Sequence, residues 1–270
     1  MGDRPQGRPF LKIISWNVNG IRACADKGFF ELIEEQHPDI FCIQETKAHP
    51  DVIEERLVHP LSKFSYFSTA LKRGYSGTAT FCDQQPLWVG HGIGIRKFDI
   101  EGRFVVSDHG EFLLYNVYFP NGGMNAQRHQ FKQEFLLRFL QHLKRKLNQG
   151  RQIIVVGDYN VAYLDQDVYD PMGLANESGF LPEERAWFQD FLKAGFIDCY
   201  RTVHPDTKGA YTWWSYRENG RIDNRGWRID HICVTPELSK KIVQVEILND
   251  QLGSDHCPVM VELNLSKKGV

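Results

Sequence analysis

Apolar, β-branched-rich runs of strand length recur along the chain, and polar residues close most of them. Runs at 11–18, 40–44, 78–82, 104–107, 112–119, 153–157, 229–234, 242–248 and 258–265 predict strands. In 112–119, Phe112, Leu114, Asn116 and Tyr118 alternate with Leu113, Tyr115, Val117 and Phe119. Both sets are largely apolar, which predicts a strand covered on both faces. Between strands, Phe131, Phe135, Phe139 and Leu143 recur every four residues beside Leu136, Leu140 and Leu147, and Gly150 ends the pattern. That spacing predicts an amphipathic helix. Pro182, Glu183 and Glu184 open a second helix with Trp187, Phe188, Phe191 and Leu192 as its buried stripe. Shorter helices are expected over 29–33 and 52–58. Helices and strands alternate, with hairpin-like neighbours, so the expected fold is α/β: a four-layer sandwich of two packed mixed β-sheets flanked by helices. The sequence carries no repeat, low-complexity stretch or linker. One domain over 10–270 is expected, after a polar, flexible tail over 1–9 (MGDRPQGRP) that lacks the apolar stretch of a secretory signal.

Composition narrows the class. With 42% hydrophobic and 24% charged residues in 270, the chain is ordinary globular material, not disordered, collagenous or coiled-coil. No apolar run approaches the ~20 residues that span a bilayer. The formal net charge of −2 argues against a purely electrostatic nucleic-acid coat. It leaves room for a local basic patch, or for a divalent cation that reverses the sign inside a cleft. The six cysteines form no CxxC pair and read as buried, reduced thiols. The expected location is cytoplasmic in a prokaryote and nuclear in a eukaryote.

The chemistry lies where the apolar runs end. They lead into Asn17-Val18-Asn19-Gly20, Gln44-Glu45-Thr46, Pro120-Asn121-Gly122, Gly157-Asp158-Tyr159-Asn160, Asp230-His231 and Asp255-His256. One such carboxylate is an ordinary turn or helix cap. Six such ends on one rim would gather Glu45, Asp158, Asp255, Asn17 and Asn160 into an oxygen-rich cluster. A hard cation such as Mg²⁺ favours that donor set, and the absence of paired histidines or thiolates disfavours zinc. The cluster therefore suggests metal-assisted chemistry on a phosphate. His256 needs an acidic partner to fix its tautomer and keep it charged. Asp255, its chain neighbour, points the other way in an extended chain, so Asp230 is the expected partner.

A second constellation runs from Tyr211 to Arg228 and interleaves Trp213, Trp214 and Trp227 with Arg217, Arg221, Arg225 and Arg228. Aromatic faces beside guanidinium groups suit the stacked bases and phosphates of a nucleic acid. The alternative is tryptophan as core filler beneath solvated arginines. The loop Lys72-Arg73-Gly74-Tyr75-Ser76-Gly77 has the same flavour.

These segments resemble the exonuclease III class of AP endonucleases, within the endonuclease/exonuclease/phosphatase superfamily. The likeness is carried by KIISWNVNGIRA (12–23), PDIFCIQETKA (38–48), KRGYSGTATF (72–81), YNVYFPNG (115–122), VVGDYNVA (155–162), SGFLPEERAWF (178–188), YTWWSYR (211–217), GWRIDH (226–231) and GSDHCPVMVEL (253–263). The resemblance implies Mg²⁺-dependent hydrolysis of the phosphodiester 5′ to an abasic site in duplex DNA, leaving a 3′-hydroxyl, with 3′–5′ exonuclease and 3′-end-cleaning activity. Mn²⁺ is expected to substitute. Glu45 would be the main metal ligand, with Asn17, Asp158, Asn160, Asp255 and His256 around the ion. Asp158 would align and deprotonate the water, and Asn160 would hold that water or the phosphate. His256, oriented by Asp230, would clamp a non-bridging oxygen, and Tyr118 would contact the same phosphate. Asn121, Arg73 and Tyr75 would meet the DNA backbone. Trp213, Trp227 and Ile229 would wall the pocket for the flipped abasic sugar. The partner is double-stranded DNA with abasic sites or damaged 3′ ends, no membrane is involved, and the protein is expected to be a monomer. The competing readings are a phosphatase or phosphodiesterase acting on a non-DNA substrate and a catalytically silent DNA-binding module.

The chain departs from the pattern at several points. Asn19 stands where some members carry Asp, Tyr163 where His is usual, His231 where Tyr is common, and Met124 where some members use Arg.

Overall fold

The computed structural model describes residues 10–265; the expected tail over 1–9 lies outside the described residues. The chain lays down β1 (Phe10–Asn17), β2 (Ile40–Gln44), β3 (Phe64–Ser68) and β4 (Thr78–Cys82) in one sheet. It then crosses to a second sheet with β5 (Trp88–Gly90), β6 (Phe104–Asp108), β7 (Leu113–Tyr118), β8 (Ile153–Asp158) and β9 (Ile197–Asp198). A short ribbon follows, of β10 (Trp213–Trp214) and β11 (Gly226–Trp227). The chain next returns to the second sheet as β12 (Asp230–Val234) and finishes in the first with β13 (Ile242–Ile247) and β14 (Val259–Asn264). The six-stranded orders are β13-β14-β1-β2-β4-β3 and β5-β6-β7-β8-β12-β9. Each sheet has one parallel pair at its centre, β1 with β2 and β7 with β8.

Three buried apolar layers hold the four structural layers together. Ile13, Ile40 and Val261 of the first sheet meet Leu114, Ile154 and Ile232 of the second between the sheets. The outer face of the second sheet packs Phe104, Tyr115 and Val155 against Phe135 and Phe139 of the Ala126–Asn148 helix and Phe188 of the Pro182–Lys193 helix. The outer face of the first sheet packs Trp16, Phe41 and Phe81 against Phe29 and Ile33. Strands apolar on both faces are therefore buried on both faces, as the 112–119 pattern predicts.

The segment expected as a helix over 52–58 is instead a turn at Pro50–Val52 and a one-turn helix at Glu55–Val58. β3 and β5 leave a weaker sequence signal. β3 is an edge strand that mixes aromatic residues with Ser and leaves Phe64 exposed; β5 has only three residues. All six cysteines are free and buried, and burial pushes the thiols of Cys24 and Cys82 up to about 12. No helix among the described residues is long and apolar enough to cross a membrane.

Both parallel pairs point their C-terminal ends to the same rim. In the register of β7 with β8, Tyr118 stands opposite Asp158, and β12 places Asp230 opposite Asp158 on the other side. In β1 and β2, Asn17 stands opposite Gln44, one residue before Glu45. The crevice beyond the carboxyl ends of parallel strands is the usual ligand position in open α/β sheets. Here two sheets contribute to one crevice.

Candidate active site

Asn17 is the hub of the rim. Its Nδ2 donates to Glu45 Oε1 (2.9 Å) and to Asp158 Oδ2 (2.8 Å), while its Oδ1 accepts the Asn19 amide (3.0 Å). The nitrogen faces the carboxylates and ties the first sheet to the second. Glu45 takes a left-handed φ of 52°, a strained conformation that turns its side chain into the crevice. Its Oε2 pairs with Lys47 Nζ at 2.8 Å. Burial opposes ionisation of Glu45, but Lys47 and the Asn17 amide outweigh it and hold its carboxyl below the usual value.

Asp158 closes β8 and is almost fully buried. Its Oδ1 accepts the Asn160 amide at 2.8 Å; its Oδ2 accepts from Asn17 and, at 3.3 Å, from Asn160 Nδ2. Burial, with Asp230 and Glu45 nearby, lifts its carboxyl well above the ordinary range, although His256 pulls the other way. The close approach of β7 and β8 here demands glycine at 157, since a Cβ would sit 1.9 Å from the Val117 carbonyl oxygen. Asn160, at φ 50°, donates Nδ2 to the Phe119 carbonyl (3.0 Å) and accepts from Asn121 Nδ2 (3.2 Å). Its side-chain oxygen thus meets exposed Asn121, while its amide and Nδ2 support Asp158.

His256 Nδ1 lies 2.8 Å from Asp230 Oδ2, and Nε2 lies 3.9 Å from Asp158 Oδ2. Burial works against its charge, but Asp230, Asp158 and Asp255 outweigh burial and raise it to about 10. That environment favours the imidazolium, whose nitrogens both donate. Asp255 Oδ1 accepts from Asn19 Nδ2 (2.9 Å) and Ser254 Oγ (3.3 Å), and its Oδ2 from Trp213 Nε1 (3.1 Å). Ligand atoms of Glu45, Asp158 and His256 lie within 4.8 Å of one another. Glu45 and Asp158 turn carboxylate oxygens toward this cluster, a donor type that fits a hard cation. Tyr118 hydrogen-bonds to Glu45, and burial together with that carboxylate raises its hydroxyl well above the usual value, so it stays protonated.

Beside this cluster lies an apolar wall of Phe180, Trp227, Ile229, Ala162 and Val168, with Trp213 packed against it. The Trp213 and Trp227 rings meet edge to face at 6.3 Å, and Trp213 lies 6.4 Å from the His256 ring. Gly179 (φ 104°) lets the wall close, since a Cβ there would come 3.2 Å from the Trp227 ring and 3.3 Å from the Asn160 carbonyl oxygen.

Two of the four arginines of the second constellation, Arg221 and Arg228, are spent on contacts within the protein, while Arg217 is exposed. Arg228 is buried and pairs with Asp167 Oδ1 (2.8 Å) and Asp198 Oδ2 (2.7 Å). Arg221 donates to the carbonyls of Asn249, Gln251 and Ser254, and Trp214 lies buried beneath it. Core filler is thus the right reading for Trp214. On the neighbouring loop Arg73 is exposed. Tyr75 is held by its hydroxyl, which accepts from Arg103 (2.9 Å) and Arg128 (3.1 Å). The sequence reading missed Arg103, Lys47 and Lys132. Lys132 alone left a readable trace: a lysine three and four residues before Phe135 and Leu136, on the apolar stripe.

Residues 14–256 match the endonuclease/exonuclease/phosphatase family. The chain is 40% identical over 256 residues to the exodeoxyribonuclease of Bacillus subtilis, covering 94% of this chain and all of that one. An AP endonuclease structure from Archaeoglobus fulgidus superposes with a TM-score of 0.84 at 30% identity, covering 93% of this chain and 98% of the other. The 3′ phosphatase NExo from Neisseria, bound to a product DNA hairpin, superposes with a TM-score of 0.86 at 27% identity, covering 94% and 99%. The chain belongs to the endonuclease/exonuclease/phosphatase family and, within it, to the exonuclease III class of AP endonucleases. It is a hydrolytic nuclease of DNA repair, and its two-sheet sandwich is that of its AP endonuclease neighbours.

Proposed function

We propose that this nuclease hydrolyses, with Mg²⁺, the phosphodiester 5′ to an abasic site in duplex DNA, leaving a 3′-hydroxyl, and that it also trims and cleans 3′ ends. One observation carries the reading: a cation-sized carboxylate–imidazolium cluster abuts an apolar wall of Trp213, Trp227, Phe180 and Ile229. The cluster suits a phosphodiester, and the wall suits a deoxyribose that carries no base.

Glu45 would hold the cation, with Asp158 as the second anionic donor. The ion would neutralise charge on the phosphate oxygens in the transition state. Asp158, lifted toward the working pH and gripped by Asn17 and Asn160, accepts the proton of the attacking water. The water oxygen bonds to phosphorus, the P–O3′ bond breaks, and the departing O3′ takes a proton to become the 3′-hydroxyl. The 5′-phosphate stays on the abasic sugar. His256, charged and fixed by Asp230, donates from Nε2 to a non-bridging oxygen, and the Tyr118 hydroxyl donates beside it. Exposed Asn121, Arg73 and the Tyr75 loop meet the backbone. All of these residues come from one chain, so a monomer suffices.

Labelled duplexes test the reading, one with an abasic site, one with a recessed 3′ end and one with a 3′-phosphate, each with Mg²⁺ or EDTA. The expected result is Mg²⁺-dependent cutting on the 5′ side of the abasic site. An uncut abasic duplex in Mg²⁺ would reject the proposal.

A further inference from the structure

Lys132 lies on the buried face of the Ala126–Asn148 helix, and its side chain and that of Glu184 are both 0% exposed. Its Nζ lies 2.5 Å from Glu184 Oε1 and donates to the Asn160 carbonyl oxygen at 2.7 Å. Glu184 Oε2 accepts the Gly179 amide at 2.6 Å and the Leu181 amide at 3.2 Å. One buried ion pair therefore joins two loops. The first carries Asp158 and Asn160; the second carries Gly179 and Phe180 of the apolar wall.

Stability is a poor reason for keeping this pair. Taking two charges out of water is costly, and a well-packed apolar pair of similar volume is often at least as stable. Capping the Pro182–Lys193 helix explains Glu184 but not Lys132, because the carboxylate alone satisfies the Gly179 and Leu181 amides. What Lys132 adds is its bond to Asn160, a residue held at φ 50° whose side chain and backbone amide both grip Asp158. The Ala162 amide donates to the Gly179 carbonyl oxygen at 2.7 Å, so the two loops already touch at one point. Lys132 supplies the second, and two points fix an orientation where one leaves a pivot.

We propose that Lys132 is a positioning residue: through Asn160 and Glu184 it locks the Asp158 loop to the apolar wall, so that sugar recognition and alignment of the attacking water are set together. This inference rests on the nuclease reading above. A substrate seated against Trp227 is then already in register with Asp158. Loosening the lock lets each loop settle independently, and misplacement by about 1 Å costs on the order of 100-fold in rate.

Lys132→Met alone strands a buried carboxylate, so the deciding variant is Lys132→Met with Glu184→Gln. It removes both charges and leaves a carbonyl oxygen for the Gly179 and Leu181 amides. The expected result is a cooperative melt with kcat on the abasic duplex reduced roughly 10- to 100-fold at nearly unchanged KM. Discrimination between abasic and intact duplex should fall in parallel. Lys132→Gln, which keeps a donor at this position, should recover part of the lost kcat. Wild-type kcat and discrimination in the folded double variant would overturn the proposal. Amide hydrogen exchange without DNA or metal gives a readout independent of activity. Amides over 159–162 and 179–181 should lose protection together while those of β7 and β8 keep theirs; unchanged protection would overturn the lock. A wild-type enzyme that leaves abasic duplexes uncut would defeat the nuclease reading, and the exchange result would still decide whether Lys132 couples the loops.

Discussion

His256 Nδ1 and Asp230 Oδ2 lie 2.8 Å apart, yet the two residues come from opposite sheets. Asp230 opens β12 of the second sheet, and His256 sits just before β14 of the first. The pair forms only when the sheets pack in register, so in the proposed mechanism it would link folding directly to catalysis. Asp230→Asn keeps the shape and removes the charge that holds the imidazolium. Because the folded pKa of His256 is raised from 6.5 to about 10, the charged form works below 10 and is lost above it. The basic limb of kcat should therefore move to lower pH in Asp230→Asn, read from a pH–rate profile. The stability that this group contributes is fully present below 6.5 and fades as pH rises through about 10. Denaturant melts across that window should show a smaller loss in the variant. His256→Ala should lower kcat by on the order of 10²–10³ while leaving DNA affinity nearly intact.

Asp158 has the opposite electrostatic problem. Burial and its acidic neighbours favour the neutral carboxyl, whereas accepting a proton requires the ionised one. The acid limb of the pH–rate profile should therefore lie above the ordinary carboxylate range, with activity rising as pH increases through it. Asp158→Asn should abolish that limb and lower kcat by about 10²–10⁴. Duplex affinity in EDTA should hold or tighten, because a negative charge beside the phosphate is gone; gel shifts read this directly. Weakened binding with kcat preserved would move the proton acceptor elsewhere.

The metal site invites a gain-of-charge test at Asn19. Asn19 Nδ2 donates to Asp255 Oδ1 at 2.9 Å, and its Oδ1 accepts from Lys47. Asn19→Asp replaces the first bond with like-charge repulsion and adds a donor near Glu45. Without metal the variant should be less stable by about 1 kcal/mol, a Tm drop of roughly 2–4 °C at this chain length. Mg²⁺ should restore more Tm in the variant than in the wild type. Equal Mg²⁺-induced shifts in both proteins would place the ion away from Asn19.

How far these features were legible in sequence follows from how each signal is built. The alternation of 112–119 and the Phe131–Leu143 spacing record burial directly, so β7 and the long helix were readable, as were the strand ends that place Glu45, Asp158 and Asp230 on one rim. Hydrogen-bond direction was not. Asn17 and Asn160 carry oxygen and nitrogen on the same carbon, and only the fold decides which atom faces a carboxylate. Charge compensation was equally hidden. Arg228 reads as a DNA-facing cation until Asp167 and Asp198, 61 and 30 residues earlier, come into contact with it. A motif names the residue types, whereas their partners depend on contacts between distant segments.

In the proposed function, selectivity for a missing base would rest on Trp227, which is 8% exposed between Phe180 and Trp213 and whose backbone pairs with Trp213 in the β10–β11 ribbon. Its ring limits what can lie beside Ile229 and Gly179. Truncation to Ala would cost about 3–5 kcal/mol of stability and confuse the readout. Trp227→Leu keeps an apolar filler and shortens the wall, so it is the sharper probe. An intact nucleotide should then be better tolerated, and the ratio of kcat/KM for abasic over intact duplex should fall by about tenfold or more. Cutting of the abasic duplex itself should change less, because the Asp158–His256 geometry does not depend on the ring. Both ratios come from one set of single-turnover assays at a temperature well below the variant's melt. Unchanged selectivity in a folded Trp227→Leu enzyme would shift discrimination from the pocket wall to the DNA backbone contacts at Arg73 and Asn121.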